Sequence, residues 1–281
     1  MGIRRYKIFD RDINDRKNKL LWVPILIRGI KDVFKKRFGK LLFSFSLLPL
    51  ISFIVPLYIT VRPELKYMLR RIKFLANDSS FFYAFFTNNL LIFILLILSI
   101  FTGAELISRD FKSNAIPLYF ARPITKIDYI KGKLSIILLY LLSFSLIPGL
   151  LLIIFKLLFS GQLVSFHIFI ASILYPIIVA LFFSSYTLLI SSLSNNEKFV
   201  KIAIFFIYLL SDIVFRIIHN IIKNSYIGLI SIRVNIKNFA SAVFGTQSNF
   251  NFSGWYSGAF LVLLTGIFIY ILYKRIDRVS N

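Results

Sequence analysis

The sequence predicts an all-α fold, a polytopic membrane protein with six transmembrane helices, and three observations predict it. Of 281 residues, 58% are hydrophobic, and the mean hydropathy of +0.78 lies far above that of a soluble globular chain. The apolar runs exceed the roughly 14 residues that a buried core helix usually reaches, so they match a bilayer rather than a core. The basic residues behind the formal net charge of +22 flank those runs instead of forming a polar domain interleaved with aromatics. Lipid headgroups and topology therefore explain them better than nucleic acid.

Residues 1–40 read as a cytosolic segment. Arg4, Arg5, Asp10, Arg11, Asp12 and Asp15 leave no apolar core for a cleavable signal peptide. Val23, Leu26, Ile27, Ile30, Val33 and Phe34 then recur at helical spacing, with Arg28, Lys31, Lys35 and Lys36 on the other side. This is an amphipathic helix suited to the headgroup plane, with Pro24 tolerated in its first turn. Residues 41–281 form the membrane domain, with spans expected at 41–61, 85–107, 134–158, 166–193, 199–222 and 255–273. Pro49 and Pro56 interrupt the first. The outer loop, 223–254, is moderately apolar and has room for a re-entrant or interfacial helix near Asn238 to Phe244.

Orientation follows from the loops. With the amino terminus inside, the cytosolic parts hold 23 of the 34 Lys and Arg residues, so both termini are expected in the cytosol. Arg62, Lys66, Arg70, Arg71 and Lys73 run against this pattern. The abundance of Ile, Lys, Phe and Asn suggests a prokaryotic source, hence a prokaryotic plasma membrane.

Several chemistries are not encoded. The absence of cysteine removes disulfides, thiolate nucleophiles and Cys-based zinc sites, and His167 and His219 lie in different segments. No phosphate-binding loop exists, because Gly39-Lys40 and Gly132-Lys133 are each followed by Leu and lack the upstream glycine. No nucleophile elbow or HExxH pair occurs. Ser184, Ser185, Ser191 and Ser192 read as helix-packing residues. No catalytic, cofactor or metal site is expected.

Two polar features remain. Asp212 and Arg216, four residues apart within the fifth span, can pair on one helix face, and Lys156 is placed to snorkel. The loop from Glu105 to Lys133 carries Arg109, Asp110 and Lys112, then Leu118, with Pro117 and the pair Arg122-Pro123 dividing it into short stiff pieces. Such a loop is by default merely solvated.

The order of its residues resembles the cytosolic loop of type-2 ABC transporter permeases, the membrane subunits of ATP-binding-cassette exporters. The matching positions are Glu105, Arg109-Asp110, Leu118, Pro123-Ile124-Thr125-Lys126, Tyr129 and Gly132-Lys133. Where that family commonly has Gly-Thr, this chain has Ser113-Asn114. The resemblance implies a permease without its own ATPase site. ATP and Mg would be bound by a separate ATPase subunit, and a second permease subunit, identical or similar, would complete the assembly alongside membrane lipids. It also implies a coupling helix near Arg109 to Phe120 and an elbow helix at Val23 to Lys40. Glu105, Arg109, Asp110, Lys112, Leu118, Arg122 and Pro123 are the coupling candidates. The spans favour a lipid, hydrophobic peptide or lipophilic drug over a bare ion as cargo. A membrane scaffold or assembly factor is the alternative, and a membrane-embedded enzyme the remoter one.

Overall fold

The computed structural model describes residues 22–35, 37–61, 77–121, 124–248 and 250–280. Among them the chain is helical, with no strand: α1 Val23–Lys35, α2 Arg37–Val61, α3 Asp78–Phe86, α4 Asn89–Lys112, α5 Ile116–Phe120, α6 Lys126–Ser160, α7 Phe166–Leu193, α8 Glu197–Ile222, α9 Ile232–Phe244 and α10 Gly254–Ser280. A 3-10 turn, Ser225–Ile230, precedes α9. Five segments are long and apolar enough to cross a membrane, namely α3 with α4, then α6, α7, α8 and α10. In α2 the apolar part found among the described residues is shorter, Leu47–Ile59. The protein is thus a multi-pass membrane protein. Pro49 and Pro56 in α2, Pro148 in α6 and Pro176 in α7 sit inside helices, which a bilayer bundle tolerates because neighbouring groups re-satisfy the freed carbonyls.

The expected second span, 85–107, is interrupted near its start. The α3 helix stops at Phe86, where the Thr87 hydroxyl donates to the Tyr83 carbonyl at 2.7 Å. Asn88 then caps α4 by accepting from the Leu90 amide at 2.8 Å. Side-chain capping by two polar residues outweighs the continuous apolar pattern. The expected amphipathic helix also divides differently, because α1 ends at Lys35 and α2 has begun by Arg37.

Helix α7 is the hub, packing on α4, α6, α8, α9 and α10. Its small residues allow this, since lipid supplies no hydrophobic drive between helices and close backbone approach must do so. Ser184, Ser185 and Ser192 bond carbonyls of their own helix. Ser191 crosses to α4, where its Oγ donates to the Ala104 carbonyl at 2.8 Å and accepts from the Ser108 amide at 3.1 Å. Beside it, a Cβ on Gly103 would come within 2.4 Å of Thr187. The apolar side of α1, including Ile25, Leu26 and Val33, lies on α6 and the core, while Arg28, Lys31, Asp32 and Lys35 are exposed. Gly132 of α6 lets α1 close in, because a Cβ there would sit 3.0 Å from Ile25.

The other end of the bundle is aromatic. Phe81, Phe82, Phe85 and Phe86 of α3 are buried, and Phe86 stacks on Phe244 of α9 with centroids 5.5 Å apart. The interfacial segment expected near Asn238 to Phe244 is the C-terminal half of a longer, largely buried helix, α9. Asn238 is satisfied inside by Ser257, Ser241 and Ser248.

Candidate functional site

At the opposite end from α9, helix α4 turns into α6 through the short helix α5. Ser113 caps α4, and Asn114 takes φ 50, a left-handed conformation that Asn adopts more readily than most non-glycine residues. Ser113-Asn114 therefore makes the helix-ending turn without glycine. Ile116 is buried, whereas Leu118 is 70% exposed. Tyr119 and Phe120 pack edge-on against Tyr129 of α6. Thr125 and Asp128 form a reciprocal capping box that starts α6. Because these charged residues extend the helix, α6 begins well before the expected apolar boundary at 134.

Three sets of contacts pin this loop. In the first, the Asp110 carboxylate meets Lys133 Nζ at 2.7 Å and accepts from the Tyr129 hydroxyl at 2.7 Å. Lys133 also donates to the Leu106 carbonyl at 2.8 Å and lies 5.5 Å from the Tyr129 ring centroid. Both charged side chains are nearly buried, at 13% and 8% exposed. Such a pair endures in low dielectric because its further hydrogen bonds are made. The four-residue step from Tyr129 to Lys133 puts both on one face of α6.

The second set joins α4 to α8. Lys201 meets Glu105 at 2.7 Å, Arg109 meets the other Glu105 oxygen at 3.1 Å, and Arg109 reaches Glu197 at 3.2 Å. Glu197 lies in the first turn of α8 and Arg109 in the last turn of α4, so each charge also complements its helix dipole. The third set involves α10. Lys126 pairs with Asp277, and Arg275 donates to the Ser192 and Leu193 carbonyls, orphan acceptors at the end of α7. Its guanidinium also lies 5.8 Å from the Phe111 ring centroid.

The predicted residues thus divide into two groups. Glu105 and Asp110 turn inward, and Asp110 bonds α6 rather than capping α5. Lys112 and Leu118 face outward, while Arg109 does both, paired yet 61% exposed. Arg122 and Pro123 lie outside the described residues. Sequence reasoning missed Glu197, Lys201, Arg275 and Asp277, which meet the loop across long separations that no local pattern encodes.

At the far end, Asp212 and Arg216 do come together, with Arg216 Nε and Nη2 donating to Oδ2 at 3.1 and 3.0 Å. Arg216 is 65% exposed and Asp212 14%. Ser231 and Arg233 also approach Asp212. Lys156, expected to snorkel, pairs with Asp78. Among the described residues no group of three or more His, Cys, Asp or Glu side chains converges as a metal site would.

Residues 9–279 match a family model described as an ABC-2 family transporter protein. No curated protein matches the chain.

Proposed function

We propose, from the premise that this chain belongs to the ABC-2 family of transporter proteins, that it is the permease subunit through which a separate ATP-hydrolysing partner drives substrate out of the cell. The observation that carries this reading is the division at the α4–α6 turn. The inward charges are bound to α6 and α8, while Leu118 and Lys112 are left on the surface. An exposed leucine and an exposed lysine on a turn held by ion pairs offer a contact surface whose displacement reaches the bundle. The partner binds ATP and Mg, because this sequence has no phosphate-binding loop. A second permease subunit, identical or similar, completes the assembly.

Leu118→Asp with Lys112→Glu is the direct test, since neither residue belongs to the ion-pair sets. The expected result is loss of ATPase co-purification and of transport-linked ATP turnover, with the fold intact by melting temperature. Retention of both by the variant overturns the coupling role of this turn. Reversing Arg109 is less clean, because it also breaks the contacts to Glu105 and Glu197. The purified chain alone is expected to hydrolyse no ATP, and turnover by a preparation free of ATPase subunits overturns the division of labour.

A further inference from the structure

The cavity of about 360 Å³ beside Asp212 carries more positive charge than its internal contacts consume. Its wall holds Arg216, Arg233 and Lys237 with one carboxylate, Asp212; three cations against one anion leave an excess of two. That carboxylate is already engaged: Oδ2 accepts both Arg216 bonds and lies 3.6 Å from Arg233, and Oδ1 accepts from Ser231 at 3.1 Å. Lys237 donates to the Asn89 side-chain oxygen at 2.6 Å, a neutral partner. Arg233 and Lys237 stand four apart on α9, a spacing at which like charges repel. Burial pushes the Lys237 ammonium pKa down, and Arg233 beside it adds to that.

The remainder of the wall is of another kind. Phe215 and Phe250 contribute apolar surface, with rings 6.1 Å apart and edge-on. Just beyond, Ile213, Val214 and Ile217 of α8 are exposed, on a helix apolar enough to cross the membrane. A cationic cavity that borders a lipid-accessible apolar face suits a charged head carried on a hydrocarbon body. The excess of two charges, supplied partly by planar guanidinium groups, matches a phosphate better than a monovalent anion.

We propose that this cavity is a binding site for a phosphate group, either an anionic lipid headgroup or free phosphate, held by Arg233, Lys237 and the exposed guanidinium of Arg216. Binding here needs no ATPase partner and stands apart from the transport reading. The test uses the purified full chain in detergent, with melting temperature followed against dioctanoyl phosphatidic acid, inorganic phosphate and dioctanoyl phosphatidylcholine. A concentration-dependent rise with phosphatidic acid but not phosphatidylcholine is expected. Arg233→Gln with Lys237→Gln should weaken it at least about tenfold, whereas Arg233→Lys with Lys237→Arg should keep it. An equal rise with inorganic phosphate, lost in the same Gln variant, supports the site and assigns the free anion as its source. Lys237→Gln alone leaves every Asp212 contact in place, so it serves if the double variant fails to fold, with a loss of affinity expected there too. If neither phosphatidic acid nor inorganic phosphate stabilises the wild type, if phosphatidylcholine stabilises it as strongly as phosphatidic acid, or if the Gln variants respond as strongly as the wild type, the proposal is overturned.

Discussion

Asp110 and Lys133 sit where α4 hands over to α6, both nearly buried and joined at 2.7 Å. Replacing Asp110 by Ala leaves an ammonium in a low-dielectric site beside two aromatic rings, and the Tyr129 hydroxyl loses its acceptor. The expected cost is about 3–5 kcal/mol, read as a drop in melting temperature of the purified protein. Asp110→Leu with Lys133→Met should be milder than either single change, because no uncompensated charge remains. Asp212 and Arg216 should behave differently. With its side chain 65% exposed, Arg216→Ala is expected to cost about 1 kcal/mol or less. Asp212→Ala takes the carboxylate away from three side chains at once, the hydrogen-bonded Arg216 and Ser231 and the ion-paired Arg233, and should cost more. Equal melting temperatures for these two variants would contradict the geometry.

Elements meet where side chains are absent. A Cβ on Gly254, the first residue of α10, would lie 2.1 Å from the Asn238 carbonyl and 3.1 Å from the Ala242 amide. Backbone cannot swing aside as a flexible side chain can, so Gly254→Val is expected to push α10 off α9 and destabilise by about 1–3 kcal/mol. Gly132→Val tests the α1–α6 crossing in the same way, and ready proteolysis ahead of α2 would report α1 detaching. Much at this scale was legible in the sequence: α7 occupies the expected 166–193, because a long apolar run between polar ends leaves little choice. The break at Thr87 and Asn88 was not, since hydropathy ignores caps. The partners of Glu105 and Arg109 were hidden as well. Their spacing on α4 announces one pair, but Glu197 and Lys201 arrive only when α8 packs alongside.

For the whole molecule, the basic-loop asymmetry predicts both termini in the cytosol, and two exposed serines make it measurable. Ser113 lies at the α4–α5 turn and Ser253 ahead of α10, in a chain with no native cysteine. With Ser113→Cys and Ser253→Cys made singly, an impermeant thiol reagent on intact cells should label only the latter. Labelling of the former alone reverses the topology. Ile202, Phe206, Ile213, Ile217 and Ile221 are exposed on α8, at the four- and seven-residue steps of one helix face, so lipid or a second subunit must cover them. The α6 helix adds a mechanical consequence. It runs unbroken from Lys126 to Ser160, tied at its start to α4 and α10 and crossed by α1 at Gly132. For a rigid α6 that tilts about this crossing, helical rise makes the arm from Lys126 to Gly132 about 9 Å and the arm from Gly132 to Pro148 about 24 Å. A tilt that moves the turn by 1 Å therefore swings the helix at Pro148 by roughly 2–3 Å the other way, so small strokes at the surface become large ones in the middle of the bundle.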